Sequence, residues 1–256
     1  SLDRAKEIIR AAKEAGADCI KIQTYTPDTL TIDCNNEYFA ITDGTWEGEN
    51  LYGLYGKAYT PLEWQEELYA EAKRVGIDFF STPFDNTAVD LLEEIGVEFY
   101  KIASFEITDI PLIEYAASKG KPMVISTGIA SLEDIELAVD TCKSVGNQDI
   151  TLLKCTSSYP APLSQANLVM ISDLARRFGV KAGLSDHTMG SLSAILAVSQ
   201  GATIIEKHFI IDRSIGGPDS AFSMNEKEFT EMVKLIRDAE LAMGEVDYSM
   251  TEFKLN

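Results

Sequence analysis

Short runs of apolar and β-branched residues alternate along the chain with longer segments of helical period. Glycine, proline, aspartate or asparagine separates the two kinds of segment, as in the repeated strand and helix units that build a parallel sheet. The pattern predicts seven strands, at 18–24, 78–83, 98–104, 122–128, 150–156, 180–186 and 202–209. It predicts eight helices, near 2–15, 61–75, 86–95, 109–119, 132–145, 163–177, 190–199 and 225–242. We therefore predict an α/β fold.

The excess of one helix over the strands favours a closed barrel. The chain opens on a helix whose apolar positions Ala5, Ile8, Ile9 and Ala12 need a sheet to cover them. We therefore predict a (β/α)8 TIM barrel whose first strand precedes Ser1. An open doubly wound sheet is the alternative, although no GxGxxG turn follows any predicted strand.

One connection is longer than the others, and it is rich in aromatic residues. Residues 25–60 are too long for an ordinary loop between two elements, so we predict a functional loop over the barrel mouth. Its aromatic residues are Tyr38, Phe39, Trp46, Tyr52, Tyr55 and Tyr59. Because no internal repeat, low-complexity tract or linker interrupts the chain, residues 1–256 are predicted to form a single barrel domain.

Composition narrows the classes of partner. Lysine and arginine number 22 against 41 aspartates and glutamates, a formal net charge of −19 that repels phosphate backbones, so we expect no nucleic acid partner. We also expect no membrane partner, because no apolar run approaches the roughly 20 residues of a spanning helix. The four cysteines lie far apart without CxxC spacing, which fits a reducing cytoplasm.

Polar residues stand at or just after the carboxyl ends of the predicted strands, where buried parallel strands would otherwise be apolar. Barrel enzymes build their active sites at this end of the strands, so we predict a catalytic site there. The residues concerned are Lys21, Gln23, Ser81, Thr82, Lys101, Ser104, Glu106, Ser126, Thr127, Thr156, Ser157, Ser158, Ser185, Asp186, His187, Glu206, Lys207 and His208.

The chain has two histidines, and both lie at the ends of the last two predicted strands. Neighbouring strands would bring the imidazoles of His187 and His208 together around one divalent metal, with positions left open for water and substrate. The alternative is two hydrogen-bonded histidines in ordinary loops.

Two lysines interrupt apolar strands, where an unpaired ammonium group is costly to bury. We predict that Lys21 and Lys101 bind a phosphate or carboxylate; an ion pair with Glu106 or Asp186 is the alternative. Glu106 is a candidate general acid or base, although a carboxylate in a loop is often only solvated. Asp219, in the loop after the last strand, lies within reach of the mouth.

Seven ordered motifs, followed by GGPDSAFSM, resemble the sialic acid synthase (N-acetylneuraminate synthase) family along nearly the whole chain. They are KIQTY, FFSTPFD, YKIASFEITDIPLI, GKPMVISTGIAS, KCTSSYPAP, GLSDHTMG and EKHF. That family condenses phosphoenolpyruvate with an amino-sugar aldehyde. The variants FEITDIPLI and TSSYPAP are most similar to its pseudaminic acid synthase branch, and Ser157 stands where sialic acid synthases proper have asparagine.

The resemblance implies roles for particular residues. His187 and His208 would hold a divalent metal, Mn²⁺ or Mg²⁺. Glu106, Lys101 and Lys21 would be catalytic, with Glu106 transferring protons. The pocket for phosphoenolpyruvate would be lined by Lys21, Gln23, Thr82, Lys101, Ser104, Ser126, Ser157 and Ser185, while Tyr159 and Asp219 would face the acetamido sugar.

The resemblance also implies parts that this sequence does not contain. The family has a glutamate at the end of its first barrel strand, and an antifreeze-like domain follows its barrel and reaches across a homodimer. We therefore expect this chain to be truncated at both ends relative to the family, and the full-length form to be a homodimer.

Several functions stay open at this point. The first is pseudaminic acid synthase, and N-acetylneuraminate or legionaminic acid synthase is the alternative within the family. A metal-dependent barrel aldolase or hydrolase that does not use phosphoenolpyruvate is a second reaction class. A sugar-binding module without catalysis is the third.

Overall fold

The computed structural model describes residues 1–42, 44 and 46–249. Its centre is a parallel sheet in which each strand pairs with the next along the chain, from β1 to β7. The strands are β1 Cys19–Thr24, β2 Asp78–Pro83, β3 Tyr100–Ile102, β4 Met123–Ser126, β5 Ile150–Cys155, β6 Lys181–Asp186 and β7 Ile205–Lys207. The prediction of seven parallel strands is confirmed, although β3, β4 and β7 are shorter than predicted. A 3-10 turn over Ser104–Thr108 follows β3 closely.

The helices are α1 Leu2–Glu14, α2 Pro27–Leu30, α3 Leu51–Ala58, α4 Gln65–Val75, α5 Asn86–Ile95, α6 Ile110–Ala117, α7 Leu132–Ser144, α8 Met170–Phe178, α9 Leu192–Ser199 and α10 Glu226–Met243. All eight predicted helices are present. The helix predicted at 163–177 is shorter, because its first turn is a separate 3-10 segment and Asn167 adopts a left-handed φ of 44° before α8. Among the described helices, none is long and apolar enough to cross a lipid bilayer.

The prediction of a continuous loop over 25–60 is corrected by α2 and α3. Thr26 and Thr29 form a reciprocal capping box at the start of α2, and the Asn50 side chain accepts a hydrogen bond from the Gly53 amide at the start of α3. Such caps satisfy amide groups that a helix leaves without partners, so they stabilise even short helices. α2 is a single turn, too short to show a helical period, and α3 contains Gly53 and Gly56, which disfavour a helix, so the sequence pattern predicted neither.

Apolar side chains from the helices pack against the outer face of the sheet. The central part of this core contains Leu92, Tyr100, Ile102, Ile113 and Ile125, each fully buried. Burying each aliphatic side chain contributes about 1.5–3 kcal/mol relative to exposure. The helix layer therefore holds the strands in one arrangement and leaves their other face for polar groups.

The sheet curls so that its first and last strands face one another. Lys21 on β1 and Glu206 on β7 meet across it, with the lysine Nζ 3.2 Å from the carboxylate Oε1. The backbone at Ile204, just before β7, lies close to Gly183 on β6. A Cβ added at Gly183 would lie 2.3 Å from the carbonyl oxygen of Ile204, so the two strands can approach this closely only because residue 183 is glycine. The curl brings the carboxyl ends of all seven strands around one space.

Candidate active site

The inner face of the curled sheet carries two lysines and one carboxylate. Lys21 pairs with Glu206, and the Ser185 hydroxyl donates to the same carboxylate oxygen at 3.1 Å. Lys101 is buried on β3, and its Nζ donates to the Ile102 carbonyl at 3.0 Å. The alternative prediction, an ion pair between one of these lysines and Asp186, is wrong, because Asp186 pairs with Lys207 at 2.8 Å.

Burial and the neighbouring charges shift the pKa values of these groups. Burial lowers the pKa of Lys101 to about 8, with the Glu206 carboxylate opposing the shift. Burial alone would raise the pKa of Glu206, but Lys101 and Lys21 outweigh it and hold this pKa at about 2. Burial raises the pKa of Glu106 to about 7, although the charge of Lys101 opposes this. Near neutral pH the site therefore contains a firmly ionised Glu206 and a Glu106 close to its midpoint.

Several buried polar atoms at the carboxyl ends of the strands have no hydrogen-bond partner in the described structure. Among them are the hydroxyls of Thr82 and Ser126 and one carboxylate oxygen each of Glu106 and Glu206. Side chains two residues apart on a strand share a face. Thr82 therefore shares the face of Phe80, the register partner of Lys21. In the same way, Ser126 shares the face of Val124, the register partner of Lys101. Buried polar groups normally have partners, so this cluster is suited to a polar ligand.

A pair of serine hydroxyls lies next to a glycine backbone in the same region. Ser157 donates to Ser104 at 3.0 Å, across the ends of β5 and β3. Gly128 follows β4, and a Cβ added there would lie 2.4 Å from both hydroxyl oxygens and 3.2 Å from the Cys155 sulfur. The missing side chain of Gly128 is therefore what lets the backbone approach this hydroxyl pair.

The two histidines are neighbours, as the strand order predicts. Their ring centroids are 5.3 Å apart. His187 Nδ1 lies 2.9 Å from the Thr156 carbonyl oxygen, and His208 Nδ1 lies 3.4 Å from Asp219 Oδ2. Because Nδ1 makes these contacts, Nε2 of each ring is the nitrogen that would bind a metal, the usual arrangement for ligand histidines.

The donor set fits a divalent metal with open coordination positions. No group of three or more histidine, cysteine, aspartate or glutamate side chains forms a metal site in the part of the chain that the structure describes. Two imidazoles would therefore supply the protein nitrogens, and water or substrate oxygens would complete the set, as a Lewis-acid site requires.

Aromatic rings pack around the two histidines, and one of them, Trp46, comes from the long segment 25–60. The Tyr159 ring lies 4.3 Å from that of His187, and the Phe222 ring lies 5.1 Å from that of His208. Trp46 packs on Tyr159 at 5.9 Å, and its Nε1 donates to the Pro218 carbonyl at 2.9 Å. We call Trp46, Tyr159 and Phe222 the aromatic wall.

The structure therefore brings most of the predicted residues to one end of the sheet. Gln23 differs, because it stands exposed at the end of β1, opposite Thr82 in the strand register. The sequence pattern placed Glu206 among the strand-end polar residues and Trp46 in the long connection, but it gave neither a role in the site. A role for Glu206 could have been found, because it lies two residues before His208 and so on the same strand face. Gly128 and Phe222 were missed, because they reach the site only through tertiary contacts.

A family model described as the NeuB family matches residues 8–248. The chain belongs to the NeuB family. This NeuB-family chain is 50% identical over 244 residues to pseudaminic acid synthase of Helicobacter pylori, covering 95% of this chain and 72% of that protein. It is 41% identical over 248 residues to N,N'-diacetyllegionaminic acid synthase of Legionella pneumophila, covering 95% and 69%.

A solved structure shares the fold of this NeuB-family chain. The N-acetylneuraminic acid (sialic acid) synthetase of Leptospira borgpetersenii, crystallised with citrate, superposes with a TM-score of 0.87 at 34% identity, covering 99% of this chain and 84% of that one. The resemblance to the sialic acid synthase family is confirmed, and the named relatives are synthases.

Proposed function

We propose that the chain is a nonulosonic acid synthase, and specifically a pseudaminic acid synthase, which condenses phosphoenolpyruvate with an acetamido-sugar aldehyde and releases phosphate. The observation that supports it most is a cluster of two lysines and unpartnered hydroxyls beside two neighbouring histidines. The branch follows from identity, which is higher to the Helicobacter pseudaminic acid synthase than to the Legionella legionaminic acid synthase.

The sheet is the wall of a (β/α)8 barrel, and residues 1–256 form one catalytic domain. The chain-order pairing of seven parallel strands and the contact between Lys21 and Glu206 across the sheet support this. A homodimer and a cytoplasmic location stay predictions.

Phosphoenolpyruvate binds where the lysines and hydroxyls converge. Lys21 and Lys101 neutralise its phosphate and carboxylate, and the unpartnered hydroxyls of Thr82 and Ser126 donate to its oxygens. The remaining hydroxyls come from Ser104, Ser157 and Ser185, and Gln23 lies at the rim. Holding the anion in one orientation toward the sugar lowers the entropic part of the barrier.

His187 and His208 would hold Mn²⁺ or Mg²⁺ in this proposal, and a bound divalent ion would supply Lewis-acid activation of the carbonyl of the sugar aldehyde. The Thr156 carbonyl and the Asp219 carboxylate orient the two rings through Nδ1. The aromatic wall covers the imidazoles, so Tyr159 and Asp219 lie where the sugar must approach.

The bond changes require one proton donor and one stable anion. The methylene carbon of phosphoenolpyruvate forms a bond to the aldehyde carbon, whose oxygen takes up a proton. Water then adds to the phosphate-bearing carbon, and cleavage of its bond to the phosphate oxygen releases phosphate and leaves an α-keto acid. Glu106, with a pKa of about 7, transfers protons, and the ionised Glu206 stabilises positive charge at the phosphate-bearing carbon.

The proposal is tested by phosphate release from phosphoenolpyruvate with Mn²⁺, with 2,4-diacetamido-2,4,6-trideoxy-altrose and N-acetylmannosamine offered separately. Turnover of the altrose derivative alone, abolished by a chelator, supports pseudaminic acid synthase. Turnover of N-acetylmannosamine alone keeps the family chemistry and overturns the branch. An aldol reaction that proceeds without phosphoenolpyruvate would favour the metal-dependent aldolase.

Replacing Lys101 by methionine is expected to raise KM for phosphoenolpyruvate about 10- to 100-fold, because a hydrogen bond to a charged group contributes about 1.5–3 kcal/mol. Steady-state kinetics with varied phosphoenolpyruvate measure the change. Lys121→Met is the control, since Lys121 is partly buried and pairs with Glu93, before the start of β4 and away from the site. An unchanged KM in the Lys101 variant would remove this lysine from the anion site.

Replacing Gly128 by alanine is expected to lower kcat/KM for phosphoenolpyruvate about 10- to 100-fold, because overpacking costs about 1–3 kcal/mol and the new Cβ displaces the hydroxyls of Ser104 and Ser157. Gly56→Ala is the control, since Gly56 has only an ordinary 3.7 Å contact with Pro27. Wild-type kinetics in both variants would show that the hydroxyl pair does not contact substrate.

A further inference from the structure

An ion pair that faces away from the substrate cleft lies directly before both histidines. Asp186 precedes His187, Lys207 precedes His208, and the two residues are partners in the register of β6 and β7. We propose that this pair is a positioning device, which sets the separation of the two imidazoles and thereby the affinity of the site for a divalent cation. The inference rests on the proposed metal site.

The Asp186–Lys207 pair is buried and makes several further hydrogen bonds. The side chains of Lys207 and Asp186 are only 2% and 1% exposed, with Nζ and Oδ2 2.8 Å apart. Lys207 also donates to the carbonyls of Thr188 and Gly190. Asp186 Oδ1 accepts from the Thr188 amide at 2.9 Å and from its hydroxyl at 2.8 Å. The pair therefore ties β7 to the turn that follows His187.

A second polar pair lies one step earlier, on the opposite face of the sheet. Ser185 and Glu206 are also register partners, joined by a 3.1 Å hydrogen bond. Successive side chains of a strand point to opposite faces, so β6 and β7 are linked on both faces immediately before the histidines. A slip of one residue would break both links, so the relative height of His187 and His208 is closely defined.

Stability alone does not account for an ion pair here. Removing two charges from water costs free energy that their attraction only partly returns, and an apolar pair of similar volume is often as stable. A directional ion pair with several hydrogen bonds differs in that it permits one geometry. The position before two neighbouring imidazoles indicates that this geometry is what the pair supplies.

The test is Mn²⁺ binding to the whole protein, measured by electron paramagnetic resonance of free Mn²⁺ without substrates. Asp186→Asn is expected to weaken Mn²⁺ binding about 10- to 100-fold, the range found for residues that orient metal ligands. Glu71→Gln is the matched control, because Glu71 is a largely buried carboxylate paired with Arg10 and Arg74, outside the site. It should lower thermal stability and leave Mn²⁺ affinity at the wild-type value.

A double variant separates positioning from folding. Asp186→Leu with Lys207→Met leaves no unpaired charge, so it tests the inference even if Asp186→Asn does not fold. We expect a folded protein with the same weakened Mn²⁺ binding. Wild-type affinity in either variant would overturn the positioning role. Failure of the wild type to bind Mn²⁺, or binding that survives His187→Ala, would overturn the metal site and the inference together.

Discussion

Replacement of His208 by alanine is expected to abolish stoichiometric Mn²⁺ binding and to lower the rate of phosphate release about 10³-fold, because a Lewis acid at a carbonyl contributes several kcal/mol to the barrier. His187→Ala should have the same effect, since the two imidazoles are the protein nitrogens of the proposed site. Mn²⁺ titration and a phosphate-release assay at saturating phosphoenolpyruvate measure both quantities.

A milder substitution, which leaves both imidazoles in place, tests whether the effect comes from metal binding. Asp219→Asn weakens the contact to His208 Nδ1 without removing the ring, so it should weaken Mn²⁺ binding about 10- to 100-fold without abolishing it. Tyr38→Ala is the neutral control, because the Tyr38 side chain is 82% exposed. Full activity of His208→Ala in the presence of a chelator would contradict metal-assisted chemistry.

Replacement of Glu106 by glutamine is expected to lower kcat about 10²- to 10⁴-fold, the usual contribution of a positioned general acid or base. Burial raises the pKa of Glu106 to about 7, so the wild-type pH profile of kcat should bend near this pH. Glutamine does not titrate, and the bend should disappear. KM for phosphoenolpyruvate should change little, because the lysines supply most of the anion binding.

The direction of the pKa shift of Glu106 can be tested by changing the neighbouring residue Asp109. The negative charge of Asp109 helps to raise the pKa of Glu106. Asp109→Asn removes that charge, so the bend should move to lower pH. Asparagine can still cap α6, where the Asp109 side chain accepts from the Leu112 amide, and the fold should be retained. A bend that stays in place in both variants would assign it to another group.

Much of this site could be predicted because parallel topology converts a local pattern into a spatial one. Polar residues lie within or directly after successive apolar strands, and parallel strands end at the same edge. Examples are Lys21, Lys101, Ser185 and His208. Recognising that the strands are parallel was therefore enough to predict that these side chains come together. The same reasoning predicted that His187 and His208 are neighbours.

Contacts that join distant parts of the chain could not be predicted in this way. The partner of Lys21 was expected to be Glu106 or Asp186 if it formed an ion pair, and it is Glu206 on the far strand of the curled sheet. Trp46 reaches the site because its indole donates to Pro218, 172 residues away. No local period encodes such a contact, since it depends on how the segments pack.

The sequence by itself determined the alternation of strands and helices, the parallel sheet and the edge at which the chemistry lies, because these follow from hydrophobic periods of 2 and 3.6 residues. Only the tertiary structure decided the curl of the sheet, the partners of the buried charges, the raised pKa of Glu106 and the space kept by Gly128. Burial and packing are properties of the whole fold, and they decide which charges meet and which hydroxyls are left for a ligand.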